Sequence, residues 1–175
     1  MRRRQASWVG EGGATAANLM ARVREAMEIR EVMTESVVTA AADAPVRQVA
    51  EIMRERNVGS VVLVDDSGEA VAFITDRDLA VSVLADGHGG DAAAADHASS
   101  PVVTAAPGMD VEEATRLMTN HGIRRLPIIE DGRLTGIVTL DDLVARIGDL
   151  DVVASITAQV TRAALPNFYF HERGG

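Results

Sequence analysis

Apolar and polar positions follow two rhythms along this chain, and both rhythms recur. Val46, Val49, Ala50 and Met53 stand at i, i+3, i+4 and i+7, the spacing of one helix face. Val111, Ala114, Thr115 and Met118 repeat it. Asp43-Ala44-Pro45 supplies a cap and an early proline ahead of the first face. After each face comes an apolar run too short for a helix, residues 60–64 or 125–129. Turn residues follow, Asp65-Asp66-Ser67-Gly68 or Glu130-Asp131-Gly132, and then a second run over 70–74 or 134–138, which predicts two hairpins. Short strands at 37–39 and 102–104 precede the helices. Further helices, over 76–85 and 140–147, end each unit. The order is β-α-β-β-α, twice, an α/β (α+β) fold.

The recurrence is a repeat of residues as well as of pattern. Displaced by 65, Val37-Val38-Thr39-Ala40-Ala41 falls on Val102-Val103-Thr104-Ala105-Ala106, Val46 on Val111 and Met53 on Met118. One residue is lost in the hairpin turn, and at an offset of 64 Thr75 falls on Thr139 and Asp78-Leu79 on Asp142-Leu143. Neither copy alone carries enough apolar surface for a stable core, so the two are expected to pack on each other as a pseudo-twofold pair. The chain divides into an N-terminal arm and helix (1–28), a first repeat (29–86), a linker (87–96), a second repeat (97–148), and a C-terminal helix with an aromatic tail (149–175). Leu19, Met20, Val23 and Met27 mark one face of a helix over 16–33, and residues 151–164 read as another helix. The tail Pro166-Asn167-Phe168-Tyr169-Phe170 holds three of the chain's aromatic residues.

Composition narrows the chemistry. The chain is 47% hydrophobic and 25% charged, an ordinary globular balance. It has no cysteine, which excludes a disulfide scaffold, a thiol nucleophile and cysteine-ligated metal. A net charge of −9 disfavours nucleic acid and anionic lipid, and three arginines at Arg2–Arg4 are thin evidence against that. There is no apolar run of membrane-spanning length and no secretory pattern at the start, so the expectation is a cytoplasmic protein. Phosphate loops with lysine, nucleophile elbows and paired zinc-binding histidines are missing, and His88, His97, His121 and His171 are scattered. No enzyme is expected.

One constellation stands out. In both copies an apolar strand ends in threonine, with an aspartate three residues on: Phe73-Ile74-Thr75-Asp76-Arg77-Asp78 and Ile137-Val138-Thr139-Leu140-Asp141-Asp142. This reads either as a helix cap, the hydroxyl accepting from the third helical amide, or as a phosphate and ribose site, since a hydroxyl and free amides at a helix start bind anions. The two readings are compatible.

With that motif in place, the chain resembles a tandem pair of CBS (cystathionine-β-synthase-type) domains, a Bateman module. The resemblance runs from about Ile29 to Ile147. It is carried by the two Thr-x-x-Asp motifs, by Val32-Met33-Thr34, and by the string Ile123-Arg124-Arg125-Leu126-Pro127-Ile128-Ile129 through Gly136-Ile137-Val138-Thr139. It implies clefts between the copies for adenine nucleotides or adenosyl ligands, with AMP, ADP, ATP, S-adenosylmethionine and NAD as candidates and no resident cofactor or metal. In one cleft Thr139 would meet phosphate and Asp142 the ribose, with Arg124 and Arg125 as phosphate-binding cations. Met33, Val38, Val58 and Gly59 would close the base side. In the other, Thr75 and Asp78 would take those roles, Arg77 would add charge, and Ala98, Val103 and Ile123 would surround the base. Three positions depart from the family pattern: Ala72 stands where copy two has Gly136, Gly59-Ser60 where it has Arg124-Arg125, and Ala98 where the first has Met33. The cleft on Thr139 and Asp142 is therefore expected to be the better phosphate site. The resemblance implies a homodimer that signals to an unknown protein partner in trans. The alternative is a ligand-independent dimerisation or protein-interaction module.

Overall fold

The computed structural model describes residues 27–164. Along them run α1 (Ile29–Val32), β1 (Thr39–Ala41), α2 (Val46–Arg56), β2 (Ser60–Val64), β3 (Ala70–Thr75), α3 (Asp76–Asp78), α4 (Val111–His121), β4 (Arg125–Glu130), β5 (Arg133–Thr139), α5 (Leu140–Arg146) and α6 (Leu150–Ala164). Arg2–Arg4, the expected helix before Met27, and the aromatic tail lie outside the described residues.

The turn sequences set the hairpins. β4 and β5 are joined by Asp131-Gly132, both at positive φ (50° and 77°), the pair of left-handed residues a two-residue hairpin loop requires. Between β2 and β3 the loop is longer. There the Asp65 carboxylate accepts from Ser67 N (2.9 Å), Ser67 Oγ (2.7 Å) and Glu69 N (3.0 Å). α2 buries Val46, Val49 and Met53, and α4 buries Val111, Ala114, Thr115 and Met118, while Ala50 of the expected face is exposed. Both helices end in a left-handed residue at equivalent positions, Asn57 (φ 53°) and Gly122 (φ 63°).

There are two cores, one per copy. Val49, Leu63 and Ile74 centre the first; Met118, Ile128, Leu143 and Ile156 centre the second, which α6 covers by packing on α4 and α5. Burying each such side chain stabilises the fold by about 1.5–3 kcal/mol. The segment leading into each copy packs on the other copy. Ile29 and Val32 belong to the second core; Ile29 N donates to Met109 O (2.9 Å), and Thr34 and Ile137 exchange two backbone bonds (2.8 and 2.9 Å). Ala94 belongs to the first core, and Ser99 and Phe73 exchange the matching pair (2.9 and 3.0 Å). This crosswise exchange ties the copies together.

Several expected boundaries move, for physical reasons. The first strand forms at Thr39–Ala41, parallel to Val62–Val64, rather than at 37–39. Its counterpart at 102–104 shrinks to one parallel bridge, Ala105 with Ile128. In copy one Val62 N donates to Val38 O (3.1 Å); the equivalent donor position in copy two is Pro127, which has no N–H. Pro45 caps α2 from outside, and Asp43 makes no cap bond; the first amides of α2 are satisfied by the linker instead, Val46 N to Ala92 O (2.9 Å) and Arg47 N to Gly90 O (3.0 Å). The expected helix over 76–85 makes one α turn, α3, and continues as a π-helix over Leu79–Leu84. No described helix is long and apolar enough to cross a membrane.

Candidate functional site

Each hairpin's second strand delivers its terminal threonine to a helix start, and both form reciprocal capping boxes. Thr75 Oγ1 accepts from Asp78 N (3.2 Å), while Asp78 Oδ2 accepts from Thr75 N (2.8 Å) and from Thr75 Oγ1 (2.7 Å). Thr139 and Asp142 repeat this at 3.1, 2.8 and 2.7 Å. The capping reading of the sequence therefore holds in both copies. It leaves each aspartate's Oδ1 to decide what else the site can do.

The two Oδ1 atoms differ. Asp142 Oδ1 accepts from Thr34 Oγ1 (3.0 Å) and stands 3.9 Å from Arg146 Nη2. Asp78 Oδ1 has no hydrogen-bond or ion-pair partner among the described residues. Ser99 occupies the place equivalent to Thr34 but makes no such bond.

A cleft of about 380 Å³ surrounds Thr75 and Asp78, with Arg77, Val103, Ile123, Arg124, Arg125, Phe73 and Asp76 on its walls. A smaller one, about 230 Å³, surrounds Thr139 and Asp142, with Thr34, Val38, Val58, Gly59, Arg125 and Asp141. The structure thus brings Thr75, Arg77, Asp78, Val103 and Ile123 together, and likewise Thr139, Asp142, Val38, Val58 and Gly59. Arg124 lines the cleft of Thr75, not that of Thr139. The pseudo-twofold explains this: Gly59, its equivalent, lines the opposite copy's cleft, so Arg124 must do the same. Arg125 lines both. Met33 and Ala98 line neither cleft; both pack against the cores. Met33 Sδ lies where a side chain at Gly136 would go, 2.7 Å from the position of a Cβ there. The departures from the family pattern are therefore linked. Copy two's glycine makes room for Met33, whereas copy one has Ala72 and the smaller Ala98 at the equivalent positions, both at the first core.

Cations are distributed accordingly. Arg77, Arg124 and Arg125 face the first cleft, and none has an ion pair or side-chain hydrogen bond among the described residues. Among the described residues Arg125 is the one cation lining the second cleft, beside Asp141 and Asp142. Sequence reasoning missed Thr34 as a site residue, although it stands in the quoted Val32-Met33-Thr34. The described residues hold no cluster of three or more histidine or acidic side chains able to bind a metal.

Residues 29–85 and 94–149 each match the sequence profile of the CBS domain. An uncharacterized protein of Methanopyrus kandleri is 41% identical over 120 residues, 67% of this chain but only 61% of that protein's length. The CBS domain-containing protein YhcV of Bacillus subtilis is 36% identical over 115 residues, 66% of this chain and 81% of its own. The solved CBS domain protein PAE2072 of Pyrobaculum aerophilum, complexed with AMP, superposes with a TM-score of 0.65 at 24% identity, covering 75% of this chain and 99% of that one. At that identity the likeness is one of fold.

Proposed function

The chain belongs to the CBS domain family, as a tandem pair, and on that premise we propose that it is a regulatory module. It binds an adenine nucleotide or adenosyl ligand in the cleft of Thr75 and Asp78 and relays occupancy to a protein partner in trans. One observation carries the reading: this cleft joins a carboxylate oxygen, Asp78 Oδ1, and three guanidinium groups that have no partners among the described residues. The carboxylate suits the two hydroxyls of a ribose. Guanidinium forks suit phosphate oxygens. Val103, Ile123 and Phe73 offer apolar wall for a base. The cleft's volume falls in the range of about 300–1,000 Å³ usual for small-molecule sites, and the second cleft's does not. The shared fold with PAE2072 supports the reading to the extent that this architecture can house AMP. Such a ligand regulates only if it binds one arrangement of the copies more tightly than another.

A thermal-shift panel with AMP, ADP, ATP, NAD and S-adenosylmethionine tests the ligand class. A ligand at 100 times its Kd stabilises by about 2.7 kcal/mol, or roughly 5–10 °C for a chain of this size. A shift from at least one of these, lost in Asp78→Ala, is the expected result; a flat panel refutes the reading.

A specific observation also favours self-association. Val81 and Leu84 on the π-helix, Val144 on α5 and Leu150 at the start of α6 are 52%, 77%, 41% and 82% exposed, large apolar side chains on the closing segments of the two copies. We read them as a homodimer face. In sedimentation, Leu84→Asp should convert a dimer to monomers; a monomeric unsubstituted chain rejects the face.

A further inference from the structure

Phe73 and Arg125 line both clefts, and among the described residues Arg125 is the one charged side chain that does. Arg125 opens β4, and its ladder partner is Thr139 of the second cleft. Its equivalent in copy one, Ser60, lines the second cleft alone. The guanidinium lies at the seam between the clefts. A Cβ placed at Gly59, a residue of the second cleft, would stand 3.9 Å from Arg125 Nη2 and 3.3 Å from Oδ2 of Asp76, a residue of the first. Arg125 is half-buried and unpaired among the described residues.

We propose that Arg125 is a single cation shared by the two clefts, so that an anionic ligand in one weakens anion binding in the other. The inference rests on the nucleotide reading above and concerns its regulation. A guanidinium fork binds one phosphate through two parallel bonds, and it cannot serve two phosphates on opposite sides of the seam at once. The first cleft keeps Arg77 and Arg124 if Arg125 turns away. The second has no other cation on its lining among the described residues, where Asp141 and Asp142 remain, and Arg146 beside it is engaged by Asp142, Thr34 and the Met33 carbonyl, so its anion affinity depends on Arg125. By linkage, the factor by which one ligand weakens the other is the same in both directions.

AMP titrations by calorimetry on the full chain, Asp78→Ala, Asp142→Ala and Arg125→Ser test this, with Arg125→Gln as a second variant and circular dichroism to confirm folding. The single-cleft variants give the AMP affinity of each cleft when the other is disabled. In the unsubstituted chain the weaker step should be about tenfold or more weaker than the single-cleft values predict, the loss of one charge-assisted contact. Simple repulsion between two bound phosphates would persist or grow without Arg125. Sharing predicts instead that the gap closes when the same comparison is made in the Arg125→Ser or Arg125→Gln background. Additive binding with Arg125 present, a gap that survives its removal, or a second cleft that binds no AMP in any variant overturns the proposal. Absence of AMP binding in every protein overturns the nucleotide reading itself.

Discussion

Gly136→Ala should destabilise the protein, and Met33→Ala should remove most of that effect. A Cβ at Gly136 would stand 2.7 Å from Met33 Sδ, 3.3 Å from Met33 Cγ and 3.2 Å from the Thr34 carbonyl oxygen. The carbonyl cannot retreat freely, because it accepts from Ile137 N at 2.9 Å. The thioether must therefore swing out of its place against the second core. Overpacking of this kind costs about 1–3 kcal/mol; with a flexible side chain yielding, about 2 kcal/mol is expected, a fall in Tm of roughly 4–8 °C. Met33→Ala alone costs about 2 kcal/mol, the low end for methionine truncation, because Met33 is only half-buried. In that background the contacts with the Met33 side chain are gone, only the Thr34 carbonyl oxygen at 3.2 Å still crowds the added methyl, and a strand residue gains by losing glycine's freedom. Gly136→Ala should then cost about 0.5 kcal/mol or less. Urea denaturation of the four proteins closes the cycle, with a coupling of about 1–2 kcal/mol expected. If Gly136→Ala costs the same in both backgrounds, the link between the two family departures is wrong.

Two further outcomes follow from the loops and caps. Gly122→Ala should lower stability by about 1–2 kcal/mol, because its φ of 63° is left-handed and a Cβ would lie 3.1 Å from the Ala163 carbonyl oxygen; Asn57→Gly at the equivalent left-handed cap, a conformation glycine adopts freely, should not lower it comparably, and equal thermal midpoints for the two variants would contradict this. At Asp65, hydrogen bonds from the Ser67 hydroxyl and then the Glu69 amide hold the carboxyl below its ordinary 3.8. A depressed folded value means that the stabilisation is complete above the unfolded value and is lost as pH falls through the folded one. The difference in midpoint between the unsubstituted chain and Asp65→Ala should therefore be constant near neutrality and shrink only below about pH 3.8; a difference that grows on acidification contradicts the assignment.

What was legible in the sequence was mostly local. Asp131-Gly132 announced its hairpin because both residues tolerate positive φ, and the Met53 and Met118 faces announced their helices by spacing alone. The two Thr-x-x-Asp caps were readable for the same reason, each closing within four residues. The loss of the 102–104 strand was written in Pro127, but only the parallel register shows which donor the proline removes. Proximity in sequence places Arg124 in its own copy's cleft; the pseudo-twofold sends it across. The difference between Asp78 and Asp142 was not readable at all. It depends on Thr34, a hydrogen-bond partner 108 residues away, delivered by the crosswise exchange of leading segments.

The proposed function makes the first cleft, not the second, the principal nucleotide site. Calorimetric titration of AMP into Asp78→Ala and Asp142→Ala, each confirmed as folded, tests it most directly. Asp78→Ala should weaken the dominant binding about tenfold or more, the loss of a charge-assisted contact to the ribose. Asp142→Ala should leave it within about threefold, since Asp142 Oδ1 is already engaged by Thr34. The opposite ranking would place the principal site at Thr139 and contradict the account.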